Sequence, residues 1–241
     1  MSIETLEIPG AQPALIFLHE GLGSVAMWRD FPARVAAATG RRTFVYSREG
    51  YGRSDKLTAR REPDYMHREA LEALPALRAE HGLADAVLIG HSDGASIALI
   101  HAGAGHEVRA IVAMAPHVFV EDVTIRSIEA AREAWRTTDL RARLQRYHDD
   151  AEGAFRGWND AWLDPRFRAW NIEAYLARVA CPVLAIQGKD DEYGTMAQLD
   201  AIERGVRGEA RRLELAQCRH SPHRDQPEAT LAAIADFVAA L

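Results

Sequence analysis

The chain has 241 residues, of which 48% are hydrophobic and 27% are charged, and its formal net charge is −6. This length suits one domain with a large core, with or without an inserted lid. The negative charge argues against nucleic acids and anionic membranes as partners, because both attract basic proteins. Two cysteines are too few to predict a disulfide framework.

The start of the chain and its hydropathy carry a further expectation. The first ten residues lack the basic and apolar regions of a secretory signal. No apolar run approaches the roughly 18 residues that cross a bilayer. We therefore expect a cytoplasmic protein that acts on a small molecule, with no membrane partner, as either a monomer or a homodimer.

Apolar strands and helical patterns alternate along the chain. The predicted strands cover residues 14–18, 42–46, 86–89, 108–115, 183–187 and 212–215. The predicted helices cover residues 28–39, 65–81, 97–104 and 228–241. Gly40 is expected to end the first helix, and Pro75 is expected to kink the second. The alternation predicts an α/β fold with a doubly wound, mostly parallel sheet.

The pattern changes in the second half of the chain. From residue 116 to residue 180 the strands stop, and the segment is helical and holds four of the five tryptophans. We interpret 116–180 as a helical lid, with 1–115 and 181–241 forming the core. Most of the aromatic side chains in the lid are expected to pack it on itself.

Residues 90–94 read Gly-His-Ser-Asp-Gly, and they join an apolar strand to a helical pattern. In this context Gly-x-Ser-x-Gly is a nucleophile elbow, a tight turn that lifts the serine hydroxyl clear of the sheet. Small residues are needed at Gly90 and Gly94, because strand and helix pass close together there. The motif predicts Ser92 as a nucleophile.

A serine nucleophile needs a general base, and the base needs an acid that orients it. The loop after the strand at 183–187 offers three acids, and its Gly-x-x-Asp spacing favours Asp191 over Asp190 and Glu192. The loop after the last strand favours His220 over His223, which lies farther from the strand. The order Ser, Asp, His is the one expected after this elbow.

An oxyanion also needs hydrogen-bond donors. One predicted donor is the N–H of Asp93, the residue after the nucleophile. The other is expected from the loop that follows the first predicted strand, where Gly21 is the best candidate. His91, beside the serine, is expected to point away from it and to be packed or hydrogen-bonded.

Four parts of the sequence together resemble the α/β-hydrolase fold family. They are His-x-Gly-x-Gly-Ser at 19–24, Ser-Arg-Glu-Gly-Tyr-Gly-Arg-Ser at 47–54, the elbow at 90–94, and the acid and histidine loops near 191 and 220. The resemblance spans the chain from about residue 12 onward, apart from the lid. It implies the fold and the Ser-His-Asp triad, but it does not name a substrate.

Two residues depart from the family pattern. Glu20 and Arg219 stand where the family usually has glycine, after the oxyanion-loop histidine and before the catalytic histidine. Glu20 brings a carboxylate near the oxyanion hole, where it would repel anionic substrates or bind a cationic or hydroxyl group. The alternative, which we favour, is an ion pair with Arg48 or Arg53.

The sequence therefore predicts a carboxylesterase-like serine hydrolase that cleaves a small, apolar or aromatic ester or thioester through an acyl-enzyme. The same triad would also serve carbon–carbon bond hydrolysis, a lyase or cofactor-free haloperoxidase-like chemistry, and a small-molecule receptor with residual hydrolase activity is a third interpretation. No cofactor or metal is expected. The candidate substrate-binding residues are Glu20, His117, Phe119, Trp158 and Trp162.

Overall fold

The computed structural model describes residues 2–241, which form a seven-stranded sheet. Its strands β1 to β7 are Thr5–Ile8, Ala11–Leu18, Arg41–Tyr46, Ala86–His91, Ala110–Met114, Val183–Gly188 and Ala210–Leu215. Their spatial order is β1-β3-β2-β4-β5-β6-β7, and every neighbouring pair is parallel except β1 and β3. The predicted α/β fold with a mostly parallel sheet is confirmed.

Helices cover both faces of this sheet. Helices α1 to α11 are Phe31–Thr39, Tyr65–Arg68, Leu74–Glu80, Asp93–Gly103, Asp122–Thr137, Leu140–Leu144, Ala151–Trp162, Glu173–Leu176, Ala197–Gly205, Pro222–Asp225 and Pro227–Ala239. Strand β2 shows why the central strands are continuously apolar. Leu15 and Phe17 pack with α1 and α11 on one face, while Ile16 and Leu18 join the core on the other. Each such side chain contributes about 1.5–3 kcal/mol by burial.

The predicted helix over 65–81 is interrupted, but not at Pro75. A π-helical turn over Glu69–Ala73 separates α2 from α3, and Pro75 lies in the first turn of α3. Proline lacks an N–H and its ring crowds the carbonyl four residues earlier, so the turn before it widens instead of the proline bending a continuous helix. The first predicted helix begins late, at Phe31, because Arg29 adopts φ +56°. It ends at Gly40, as predicted.

The segment between β5 and β6 holds helices α5 to α8. Helices α5 and α7 pack together, with the Asn159 amide donating to the Ile128 carbonyl at 2.9 Å and Trp135 stacked on Phe155. Trp162 belongs to the same buried cluster as residues of the sheet. The aromatic side chains therefore pack against the core as well as within the segment. The division into core and lid stays a prediction.

None of the helices between residues 2 and 241 combines the length and the apolar character that crossing a membrane requires.

Candidate active site

Ser92 lies in a sharp turn between β4 and α4, with φ +53° and ψ −116°. Its N–H donates to the Met114 carbonyl at 2.8 Å, which ties the turn to β5. A Cβ atom at Gly90 would overlap the backbone of Ala95, and one at Gly94 would overlap the Leu18 carbonyl. The glycines therefore allow the close approach that holds Ser92 in a conformation costing about 1–3 kcal/mol.

Three of the predicted residues form one hydrogen-bonded series. The Ser92 Oγ lies 2.9 Å from Nε2 of His220, and Nδ1 of His220 lies 2.9 and 3.0 Å from the two carboxylate oxygens of Asp191. Asp191 follows β6 and His220 follows β7, so their loops meet Ser92 at the carboxyl edge of the parallel sheet. This arrangement lets the serine hydroxyl donate to Nε2 of the imidazole, while the N–H at Nδ1 donates to the carboxylate.

The Asp191 carboxylate is held from several directions. Its Oδ1 accepts the Tyr193 N–H at 2.8 Å, and its Oδ2 accepts the Gln187 amide at 3.2 Å. Burial alone would raise the pKa of Asp191, but the charge and hydrogen bond of His220, with the Tyr193 N–H, outweigh burial and lower it. The carboxylate therefore stays ionised beside the imidazole.

The pKa of His220 is shifted in the opposite direction. Burial alone would lower this pKa, but the charge and hydrogen bond of Asp191, with smaller contributions from Glu192 and Glu20, raise it above its usual value. An imidazolium formed on His220 is therefore stabilised in place. A base that takes the proton of Ser92 needs this property.

The other residues considered for the acid and the base lie outside the hydrogen-bonded series of Ser92, His220 and Asp191. Glu192 forms an ion pair with Arg219, with Oε1 and Nη2 3.0 Å apart. His223 is buried against Trp28, and burial lowers its pKa to about 3. His91 donates from Nε2 to the His220 carbonyl at 2.7 Å, so it is a hydrogen-bonded histidine beside the elbow.

The two predicted oxyanion donors have unused N–H groups. Within residues 2–241, neither the Gly21 N–H nor the Asp93 N–H donates to a protein acceptor. Asp93 is the first residue of α4, where an N–H has no partner within the helix. A Cβ at Gly21 would overlap the indole of Trp158, so only glycine fits at this point of the loop.

A buried arginine, which the sequence suggested only as an ion-pair partner of Glu20, connects these two donors. Arg48 donates from Nη1 to the His19 carbonyl at 2.6 Å and from Nη2 to the Glu20 carbonyl at 3.1 Å. The same Nη2 lies 3.7 Å from Oδ2 of Asp93, and both side chains are fully buried. Arg48 thus holds the backbone just before Gly21 and pairs with the residue that supplies the other donor.

The Asp93 carboxylate also connects to the helices above the sheet. The Tyr65 hydroxyl donates to Oδ2 of Asp93 at 2.5 Å, and the Trp162 indole donates to that hydroxyl at 2.9 Å. Burial raises the pKa of Asp93, and the charge of Arg48 and the Tyr65 hydrogen bond offset only part of this rise. One signal in the sequence was available: Asp93 is an acidic residue inside an apolar strand–turn–helix segment.

The expected ion pair of Glu20 does not form. The Arg48 guanidinium donates to main-chain carbonyls and approaches Asp93, while Arg53 approaches Asp149 at 3.5 Å. The Glu20 Oε2 instead accepts the Leu22 N–H at 2.5 Å. In this loop the main-chain carbonyl of Glu20, and not its carboxylate, is the group that Arg48 reaches.

A cavity of about 250 Å³ opens in front of Ser92. The predicted residues Glu20, Gly21, His117, Trp158 and Trp162 line it, with Leu22, Met27, Ile128, Leu140, Leu144 and Tyr193, which the sequence did not single out.

Phe119 is not among the residues that line this cavity. Its N–H lies 3.4 Å from Oε1 of Gln198, and its backbone pairs with Asn171. These backbone contacts hold Phe119 away from the cavity, so the prediction that it contacts substrate has no support in the geometry.

Between residues 2 and 241, no group of three or more His, Cys, Asp or Glu side chains is arranged to hold a metal ion.

Solved structures with the same fold include several enzymes. An esterase from Exiguobacterium antarcticum is 17% identical with a TM-score of 0.78, covering 98% of this chain and 95% of its own. An enol-lactonase from Burkholderia xenovorans is 19% identical with a TM-score of 0.76, and the match covers 98% of this chain and 96% of the lactonase. A monoacylglycerol lipase from Paleococcus ferrophilus is 15% identical with a TM-score of 0.71, and the match covers 100% of this chain and 99% of the lipase. At these identities the likeness shows the fold.

The sequence profile described as the alpha/beta hydrolase family matches residues 15–234, nearly the whole chain. The matched range includes the elbow, the acid loop and the histidine loop described above. On this match, the chain belongs to the alpha/beta hydrolase family.

Proposed function

We propose that this protein is a serine hydrolase that cleaves a small ester or thioester through an acyl-enzyme on Ser92. The observation that carries the proposal is the series of hydrogen bonds from Ser92 through His220 to Asp191, with no distance above 3.0 Å. Membership of the alpha/beta hydrolase family supports hydrolysis as the class of reaction.

The mechanism follows from the positions of the donors and acceptors. Nε2 of His220 takes the hydroxyl proton while the Ser92 Oγ attacks the substrate carbonyl carbon. The N–H groups of Gly21 and Asp93 bind the resulting oxyanion, and each such donor is worth about 3 kcal/mol in the transition state. His220 then returns the proton to the leaving oxygen or sulfur as the carbonyl–leaving-group bond breaks. In the second half, His220 takes a proton from water as the water oxygen attacks the acyl carbon. The bond between the acyl carbon and Ser92 Oγ then breaks, and His220 returns the proton to Oγ, which releases the acid and free Ser92.

The cavity supports a small substrate. Its volume of about 250 Å³ lies below the range of roughly 300–1,000 Å³ that is usual for drug-sized ligands. Trp158, Trp162 and Tyr193 supply aromatic walls, and Ile128 and Leu144 supply aliphatic ones. Short acyl groups or a single aromatic ring suit such walls.

Hydrolysis of p-nitrophenyl esters of increasing acyl length, together with thioesters and aromatic esters, tests the proposal against a Ser92→Ala control. We expect the wild-type protein to cleave short or aromatic acyl esters at least about 10⁴-fold faster than the variant. Equal rates for both proteins across all the acyl substrates would refute hydrolysis. Tight binding of a small molecule without turnover would then favour a receptor.

A further inference from the structure

The charge of the cavity in front of Ser92 is unbalanced. Glu20 and Glu192 both line it, and its lining within residues 2–241 includes no lysine or arginine. The effect of these carboxylates reaches the reacting groups, since both raise the pKa of His220. The cavity is therefore an acidic site around a nucleophile.

The two carboxylates differ in how they are balanced. Oε1 of Glu192 lies 3.0 Å from the Arg219 guanidinium, which supplies a full opposite charge. Glu20 has no ion-pair partner between residues 2 and 241, and its Oε2 accepts only the neutral N–H of Leu22 at 2.5 Å. The uncompensated negative charge of the cavity thus belongs mainly to Glu20.

Two of the histidines that line the cavity, His91 and His117, do not supply the missing charge. Burial lowers the pKa of His91 well below its usual value and that of His117 to about 3, so both are neutral near pH 7. His117 is only 2% exposed, and its Nδ1 has no hydrogen-bond partner within residues 2–241. Its ring lies 5.0 Å from Trp162 and 5.7 Å from His220, at the cavity wall. His117 therefore lines the cavity without adding a positive charge to it.

Aromatic rings surround this space. Trp158, Trp162 and Tyr193 all line the cavity, and Trp158 packs against Gly21, the residue after Glu20. The negative face of an aromatic ring attracts a cation, tryptophan most strongly. A carboxylate and indole rings that line one cavity are a combination that recognises an ammonium group.

The reaction itself gives this charge a consequence. Glu20 directly precedes Gly21, the proposed oxyanion donor, so its carboxylate opposes the negative charge that develops on the substrate oxygen. A cation on the substrate would offset that repulsion. We propose that the substrate carries an ammonium or quaternary ammonium group, on its acyl or its leaving group, which Glu20 binds against the aromatic wall. This proposal rests on the hydrolase function proposed above.

Matched thioesters test the proposal, because thiol release reads out every pair in the same way. Acetylthiocholine and its neutral isostere 3,3-dimethylbutyl thioacetate place the group on the leaving side. The ethyl thioesters of glycine and propanoic acid place it on the acyl side, and the ethyl thioester of malonic acid supplies an anion. We expect at least a tenfold preference in kcat/KM for the cation in one of the two pairs, and at least a tenfold loss for the malonyl compound relative to propanoyl.

Two isosteric variants separate the carboxylates. Glu20→Gln keeps an acceptor for the Leu22 N–H but removes the charge, and we expect it to reduce the cation preference about tenfold, equivalent to about 1.4 kcal/mol. Glu192→Gln removes a charge that Arg219 already balances, and we expect a change below about threefold. A larger effect of Glu192→Gln than of Glu20→Gln would show that Glu192, and not Glu20, recognises the cation, and it would overturn the proposal.

Choline binding to Ser92→Ala, followed by tryptophan fluorescence, separates this proposal from the hydrolase function. Hydrolysis of the thioesters without a cation preference in either pair would overturn the cation site and leave the hydrolase standing. Saturable choline binding without hydrolysis of any thioester by the wild-type protein would refute the hydrolase and support the cation site. The absence of both the preference and the binding would overturn the proposal.

Discussion

Arg48 and Asp93 form a fully buried pair, with Nη2 and Oδ2 3.7 Å apart, and each is attached to one of the two candidate oxyanion donors. Arg48 binds the carbonyls of His19 and Glu20 just before Gly21, while Asp93 supplies its own N–H. A buried side-chain contact therefore joins the two loops that carry the donors. A buried charge without its partner is strongly destabilising.

Asp93→Asn removes this charge without changing the size of the side chain. We expect the free energy of unfolding to fall by about 3 kcal/mol, because Arg48 remains buried without a counter-ion. We expect kcat to fall more than KM changes, since the donors act on the transition state. Urea denaturation and steady-state kinetics measure the two effects. The exposed pair of Arg53 and Asp149 supplies the control. We expect Asp149→Asn to change neither the free energy of unfolding nor kcat.

The pH dependence of kcat/KM reports the protonation of His220. The imidazole must be neutral to act as base, and its pKa is raised above the usual 6.5. Activity is therefore expected to rise with pH, with a midpoint above 6.5. Asp191→Asn removes the main cause of the rise, so the midpoint should move to lower pH while kcat falls about 10⁴-fold.

Asp190→Asn is the matched control for this measurement. Asp190 adjoins the acid, but its contact with the histidine loop is made by its backbone N–H. We expect its pH profile to match that of the wild-type protein. A midpoint that moves with Asp190→Asn and stays in place with Asp191→Asn would show that Asp190, and not Asp191, is the acid that orients His220.

Gly21→Ala tests the packing of the oxyanion loop. The new Cβ would overlap the Trp158 indole, so either the loop or the indole must move. A displacement of about 1 Å is enough to reduce kcat about 100-fold. Adding Trp158→Leu makes room for the Cβ, and partial recovery of kcat in the double variant is the expected result. Unchanged kcat in Gly21→Ala would show that the contact with Trp158 does not fix the position of the oxyanion loop.

The fold and the position of the nucleophile were accessible from sequence for local reasons. The continuous apolar run of β2 and the Gly-x-Ser-x-Gly turn are signals that a few adjacent residues carry. The acid and histidine loops follow strands of a parallel sheet, whose carboxyl ends lie at one edge. The structure brings Ser92, His220 and Asp191 together at that edge, and their catalytic roles remain the proposal.

The buried network was not accessible, because its members are far apart in the chain. Trp162 and Tyr65 are 97 residues apart, and Tyr65 and Asp93 are 28 residues apart. No spacing rule links such residues. The Glu20 ion pair failed as a prediction for a related reason: whether Arg48 meets a side chain or a carbonyl depends on how the loop folds, which charge alone does not determine.

The most direct test of Ser92 as the nucleophile is the site of reaction with a fluorophosphonate probe, located by mass spectrometry of the labelled peptide. We expect one adduct, on Ser92, that is absent from Ser92→Ala and slowed in Asp191→Asn. An adduct on another residue, or undiminished labelling of Ser92→Ala, would contradict the assignment of Ser92 as the nucleophile.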